Sequence, residues 1–511
     1  MRKKKVKKIK FSAREYLIVL AMICVIVFGI RLYLAFSTEY FSNEAYFNLR
    51  QIEHIRSNGL PLYKDDLSYH ERTYFFTPGF HYILAFFSLF MPVSIACKIM
   101  PNLFATLLSV IIFFIVVELT KNRKVGLIAA FVVGFIPVLF SKTINSISVY
   151  TLALPLMFLS LYFLMLINKD KKYSIHTIIT MIVLMVVHPS IFYLIIGLLF
   201  YLMFIKQERL AQADSELEVF IFSILLVIWF YELVFKNALL VHGSRIIYKN
   251  IPKLLLQNYF AQVNILTLIV FVGFIPFILG LYVMYRYTFK EKKRALYIFI
   301  GMGIAIFLLL WLRWIELNLG MMILGVVMVI LFSQYTKDLM VSLDKSKVSK
   351  IKWLLISGML LLVILTSVFP SVGLAIVENK KVITNSDVEA LKVLKKLSEE
   401  PSVTLSTIEE SHLISYFAND KSILDTNFLL VKDVDTVYED IATIYTTPFI
   451  NRAIELTEKY GVQYIYFSEQ AKKNYGIKEL KYADEPCVEL LYSGNVQIYD
   501  VEKCKRKMVI S

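Results

Sequence analysis

The first acids, histidines and aromatics after the opening apolar run arrive together, in FSNEAYFNLRQIEHIRSNGLPLYKDDLSYHERTYFFTPGFHYI from Phe41 to Ile83. Glu44 precedes Ala45, Tyr46 and Phe47, and Arg50, His70, Arg72 and His81 follow. A carboxylate beside a membrane loses hydration, so its pKa rises toward a value useful for proton abstraction. Such a segment lets acids and cations meet a lipid headgroup. Two later segments add cations: Lys142 in SKTINSISVY, with Asn145 and Ser148, and Arg313 in LLLWLRWIELN. Each residue also has a plainer reading. Glu44 can pair with Arg50 in a solvated loop. Asp65 and Asp66 read as turn residues. His70 and Arg72 can snorkel to headgroups, His188 before Pro189 can end a helix, and Arg313 can pair with Glu316 one turn away. Charge at membrane depth is expensive, which weighs for a functional Arg313.

The elements that must position these residues are mostly apolar. The chain has 511 residues, 58% hydrophobic, with only 18 Gly and 13 Pro. Its apolar residues fall in blocks of about 20, the length of a membrane-crossing helix. The net charge of +15 sits in short clusters between those blocks, which excludes a nucleic-acid patch and fits a topology signal. Residues 1–14, MRKKKVKKIKFSAR, form a basic cytoplasmic tail, and the run after it has no cleavage site, so it is retained as the first span.

Further runs lie near 97–119, 124–141, 149–167, 174–188, 190–205, 217–236, 264–287, 294–312, 317–336 and 353–374. The short run from His81 to Ile95, broken at Met91 and Pro92, is read as lying along the membrane. With about eleven spans, eighteen Lys and Arg of the later loops face the cytoplasm against six outside; counting the short run as a span reverses that bias. The expected fold is an α-helical polytopic membrane domain over 15–376. Its first outer loop is 37–96, and an extracytoplasmic α/β domain covers 377–511. In that domain NSDVEALKVLKKL and INRAIELTEKYG read as helices, SVTLS and VQYIYFS as strands, and the end as a hairpin turning at Ser493, Gly494 and Asn495. Cys487 and Cys504 flank the hairpin, where a disulfide is one of two open outcomes. Cys24 and Cys97 read as buried thiols. No Cys/His cluster has metal-ligand spacing, and no glycine-rich phosphate loop occurs.

The segments NEAYFNLRQIEHIRSNGLPLY and TYFFTPGFHYILA resemble the first outer loop of the GT-C superfamily of polyprenyl-phosphate-dependent glycosyltransferases, above all the catalytic subunit of archaeal oligosaccharyltransferase. The resemblance extends from Met100 through Met165, to LRWIELNLGMMILGV, and to HLISYFANDKSILDTN in the outer domain. It implies a GT-C fold and transfer of a sugar or glycan from a polyprenyl (di)phosphate donor. It places Glu44 where the family has its first catalytic aspartate, as base or as ligand of a divalent metal such as Mg2+ or Mn2+. Arg313 takes the place of an arginine near substrate. In that frame Arg50, His70, Arg72, His81, Lys142 and Asn145 are candidates for binding the substrate phosphate.

The chain also departs from the family. SKTINSISVY has no carboxylate, Thr407–Ser411 reads TIEES where the family has WWDYG, and residues 237–264 hold no Asp or Glu. These departures argue against glycosylation of the Asn-X-Ser/Thr sequon. They keep open a catalytically silent homologue that binds lipid-linked glycan. A transporter is the third reading, but it calls for charges at mid-membrane, and here the polar groups gather in an outer loop.

Overall fold

The structure is a computed structural model that describes residues 12–68, 71–210, 214–243, 265–346, 351–398, 401–428, 431 and 433–504. The chain runs through α1 (Ala13–Phe36), α2 (Ala45–Asn58), α3 (Gly79–Phe87), α4 (Val93–Thr120), α5 (Arg123–Gly134), α6 (Pro137–Lys142), α7 (Tyr150–Leu166), α8 (Tyr173–Val187), α9 (Ile191–Gln207) and α10 (Asp214–His242). There follow α11 (Ile265–Val272), α12 (Phe274–Phe289), α13 (Arg294–Leu312), α14 (Leu317–Lys345) and α15 (Lys352–Asn379), the last with a π turn at Ile364–Val368.

This is a multi-pass membrane protein. Six helices are long and apolar enough to cross a bilayer: α1, α4, the Asp214–Lys236 part of α10, α13, α14 and α15. The pair α11 and α12, bent by 93° at Gly273, makes a seventh. Gly273 has φ +100°, a conformation that only glycine adopts without strain. Length therefore accounts for six or seven of the eleven expected crossings. The other four runs are shorter: α7, α8 and α9 have 15 to 17 residues, about 23–26 Å of helix. The run at 124–141 is divided into α5 and α6, because Pro137 disfavours helix at Ile136. The stretch from His81 gives only α3, nine residues, about 14 Å and too short to cross.

Close helix contact builds the core. A methyl group on Gly301 of α13 would come within 2.8 Å of the Tyr201 nitrogen and 2.9 Å of the Gly197 oxygen on α9, so these backbones touch. At one end of the bundle the basic loops are tied by their charges. Glu118 pairs with Lys121 and Lys169, Arg294 with Glu216, and Lys293 donates to the Leu119 carbonyl at 2.7 Å.

Beyond α15 a five-stranded sheet forms in the order β2 (Lys421–Ser422), β1 (Val403–Leu405), β3 (Val462–Phe467), β5 (Gln497–Asp500), β4 (Glu489–Ser493). The pairs β2–β1–β3 are parallel and β3–β5–β4 antiparallel. Helices Asn385–Leu397, Val434–Thr446 and Ile450–Lys459 accompany it, the last followed by Gly461 at φ +67°. The hairpin β4–β5 turns where the sequence placed it, and a disulfide joins Cys487 to Cys504 with Cα atoms 4.8 Å apart. Cys97 is a buried free thiol and Cys24 a half-buried one.

This domain rests on residues 37–96, the loop that the sequence reading placed outside. Arg72 pairs with buried Asp425 at 2.6 Å, and Tyr74 donates to the same carboxylate at 2.8 Å. Ser68 bridges to Ser422, Tyr416 donates to Glu53 at 3.0 Å, and Tyr46 packs against Tyr416 and Phe417.

Candidate active site

A cavity of about 330 Å³ opens where the outer loops meet the sheet domain. Short hydrogen bonds set its walls. The Ser42 N–H donates to the Asn145 carbonyl at 3.0 Å, and Asn48 Nδ2 donates to the Ile147 carbonyl at 3.1 Å, so α2 begins against the second outer loop. Asn145 Nδ2 donates to Thr38 and Asn379, and Asn379 Nδ2 donates to the Leu34 carbonyl. The end of α1, the Thr143–Val149 turn and the end of α15 are thereby held at one point. Beneath them Arg31, wholly buried on α1, donates to Asn102 at 2.9 Å and Thr143 at 2.6 Å and lies over the Phe140 ring. The sequence reading passed over Arg31. Lys98, also buried, donates to the Ala35 and Thr38 carbonyls and so caps α1.

Three helices start at this cavity. Glu44 is the N-cap of α2 and Glu316 the N-cap of α14, neither with a side-chain cap, and Tyr150 opens α7, its N–H donating to the Ser148 hydroxyl at 3.3 Å. The first N–H groups of α2 and α7 are bonded to Ser42, Asn43, Ser148 and Val149, so it is the aligned helix dipoles that add partial positive charge at the wall. Lys142 and Lys381 line it too, both paired with Glu378, at 3.1 and 2.8 Å. Glu44 and Glu316 reach solvent in the cavity, yet protein surrounds them on most sides. That enclosure raises the Glu44 pKa above the usual carboxylate range; the charge of Glu316 pushes the same way, Lys142 opposes it, and Glu378 and Glu409 add to it. Burial raises Glu316 as well, while the Tyr150 hydroxyl and Asn318, which donate to it, and Lys142 act against that. The arrangement suits proton abstraction beside a seat for an anion.

Of the residues singled out in the sequence, Glu44, Lys142 and Asn145 line this cavity. Arg50 is held elsewhere, in a two-pronged pair with Asp65 at 2.8 Å on both prongs, and Asp65 also closes a turn on Leu67. Arg72 serves the contact with Asp425. His81 lies buried with Nε2 2.8 Å from Asn48 Oδ1. Burial pushes its pKa down to about 3, so it is a neutral imidazole that orients Asn48, not a cation for phosphate. Arg313 ends α13 in a left-handed conformation, φ +63°, and does not line the cavity. His70 lies outside the described residues.

The cavity brings in residues not singled out as site residues: Tyr150, His188, Glu316, Glu378, Glu409 and Gln470. His188 was read as a helix end, and it is one. It is the C-cap of α8, and its Nδ1 accepts from the Ser190 N–H at 3.0 Å, with the ring edge-on to Tyr150. Glu409 belongs to the TIEES segment, which turns as a 3-10 helix and carries one acid into the cavity.

No family model matches the sequence, and no curated protein matches it. Solved structures do. The oligosaccharyltransferase of Archaeoglobus fulgidus, tethered with an acceptor peptide containing the NVT sequon, matches with a TM-score of 0.63 and 14% identity. The match covers 90% of this chain and 69% of that one. ArnT from Cupriavidus metallidurans, bound to undecaprenyl phosphate, matches over 96% of this chain and 98% of its own, with a TM-score of 0.57 and 12% identity. The arabinofuranosyltransferase AftD from Mycobacteria matches over 96% of this chain and 40% of its own, with a TM-score of 0.53 and 13% identity. All three are GT-C glycosyltransferases, and the fold of this chain is the GT-C fold. At 12–14% identity to these neighbours the chain is a divergent version of that fold.

The Archaeoglobus enzyme has also been solved with Zn and sulfate. In this chain no three His, Cys, Asp or Glu side chains converge as a ligand set among the described residues. Glu378 is taken up by two lysines, and Glu44 and Glu316 lie with Lys142 close enough to act on both. The expected divalent metal on Glu44 does not fit these residues, and the chemistry below uses none.

Proposed function

We propose that this chain is an integral-membrane glycosyltransferase that moves a sugar from a polyprenyl-phosphate-type lipid to an acceptor hydroxyl on the outer face of the membrane. The observation that carries the reading is Glu44, a carboxylate of raised pKa, opening into the same cavity as Lys142 and the N-terminal ends of three helices. Glu44 takes the acceptor's proton as the acceptor oxygen bonds to the anomeric carbon. The bond from that carbon to the phosphate oxygen breaks, and the lipid phosphate leaves with the electron pair. Lys142 and the positive ends of the helix dipoles stabilise the charge that develops on it. Glu316, fixed by Tyr150 and Asn318, sustains the raised pKa of Glu44.

The test is transfer of radiolabelled sugar from the organism's polyprenyl lipids by purified protein. Glu44→Gln and Glu44→Ala are expected to lower the rate by about 10²–10⁴ with insertion and folding intact. The base must be ionised, so wild-type kcat/KM is expected to rise with pH and level off above the raised pKa of Glu44. Full activity in both variants removes Glu44 from the mechanism. Wild type that retains lipid without transferring sugar establishes the silent homologue, a reading favoured by the second outer loop's lack of a carboxylate.

A further inference from the structure

The cavity lies where α1 ends. At the other end of that helix, α5 begins between two membrane-crossing helices, α1 and α15. The Arg123 guanidinium lies over the ring of Tyr16 on α1, 5.8 Å from its centre, and the Lys124 ammonium over Trp353 on α15, at 4.7 Å. Tyr16 and Trp353 stand near the first residues of these spans, the depth at which aromatic side chains meet lipid headgroups. Trp353 is 55% exposed, and next to the two rings in sequence Leu17 and Leu354 are 50% and 70% exposed. Acyl chains therefore have apolar surface directly beside the cations.

Charge here is one-sided. Among the described residues Arg14, Arg123 and Lys124 pair with no acid, and the acids near them in the chain are taken. Glu118 holds Lys121 and Lys169, Asp344 holds Lys352, and Glu15 closes the capping box on Ser12. The flanking stretches 1–11 and 347–350 contain no Asp or Glu, and they add seven and two Lys or Arg. A cation–π contact uses charge and no hydrogen bond, so the N–H donors of Arg123 and Lys124 stay available for phosphate oxygens.

We propose that this patch seats an anionic phospholipid of the adjoining leaflet, its phosphate held by Arg123 and Lys124 and its chains along α1 and α15. Basic pockets between membrane helices recognise headgroups in this way. A zwitterionic lipid carries its own cation against the phosphate, and a soluble anion has no use for the apolar rim. The seat is at the opposite end of α1 from the cavity, so this lipid is neither donor nor acceptor in the proposed transfer.

The test is the thermal unfolding of the purified chain in detergent, titrated with phosphatidylglycerol, phosphatidylcholine or inorganic phosphate. Phosphatidylglycerol is expected to raise Tm saturably and to bind about tenfold or more tighter than phosphatidylcholine. Inorganic phosphate is expected to leave Tm unchanged. Arg123→Gln with Lys124→Gln should weaken phosphatidylglycerol by about twentyfold, while the charge-keeping Arg123→Lys with Lys124→Arg retains most of the preference. Lys171→Gln with Lys172→Gln removes the same charge from other exposed side chains of the basic loops and should leave the affinity as in wild type. If that pair weakens binding as much, the attraction is diffuse and the proposal is overturned. Equal binding of phosphatidylcholine, an equal Tm rise with phosphate alone, or full affinity in the Arg123→Gln, Lys124→Gln variant overturns it as well.

Discussion

Glu44 and Glu410 show how one residue type takes two meanings from its surroundings. Glu44 is enclosed yet wet, so under the proposed function its raised pKa serves proton transfer. Glu410, one residue after the cavity acid Glu409, is 4% exposed and buried against the hydroxyls of Thr407 and Ser468, which push its pKa down less than burial pushes it up, to about 7. The sign of its effect on stability follows from linkage. A carboxyl with a higher pKa folded than unfolded stabilises the fold fully below its unfolded value, about 4.3. It loses that contribution as pH rises through about 7. The outer domain is therefore expected to lose roughly 3 kcal/mol of stability between pH 4 and pH 8 from this group alone. Pulse proteolysis in urea at the two pH values measures it. Glu410→Gln is expected to flatten the difference; an unchanged pH dependence in that variant shows that another group titrates.

At the scale of elements, the first outer loop matters as an anchored strap. Arg50 with Asp65 folds the loop on itself, and Arg72 with Tyr74 and Asp425 fixes it to the sheet domain. Both arginines were candidates for phosphate in the sequence because a guanidinium has the same donors for either partner. Only the positions of Asp65 and Asp425 assign them. Breaking a buried pair leaves a stranded charge, so Arg72→Met is expected to destabilise the contact by about 3–5 kcal/mol. Hydrogen exchange should then quicken in residues 64–68, 71–74 and at Ser422 while α4 and α14 keep their protection. Equal protection in wild type and variant would mean that the aromatic contacts of Tyr46 suffice to hold the domain.

For the whole molecule, the cavity draws on six distant stretches of chain: Ser42–Asn48, Ser141–Tyr150, His188, Glu316–Met322, Glu378–Val382 and the sheet domain at Glu409 and Gln470. All lie at the end of the bundle opposite the paired basic loops. The proposed function places that end outside. Lys478 of the sheet domain and Lys206 at the end of α9 are both exposed. An impermeant maleimide on intact cells is expected to label Lys478→Cys and to label Lys206→Cys only after permeabilisation. The reverse pattern would turn the molecule over and place the cavity in the cytoplasm.

What the sequence alone determined was local in origin. Apolar runs of helix length mark the membrane elements whatever they pack against, and the turn at Gly494 with Cys487 and Cys504 around it marks a hairpin. Lys142 stood out as a cation in a loop between apolar runs, and Glu44 because the resemblance puts it where the family has its first catalytic acid. Tertiary structure decided which charges face one another. Glu316 was read only as a partner for Arg313 one turn away; at the N-cap of α14 it also meets Tyr150, 166 positions earlier in the chain. Glu378 reaches the cavity because α15 runs on to Asn379 instead of ending near 376, and Glu409 reaches it because the sheet domain docks on the strap. Spacing along a chain carries no information about contacts made by folding over hundreds of residues. The burial that raises one carboxyl and leaves another paired exists only once those contacts have formed.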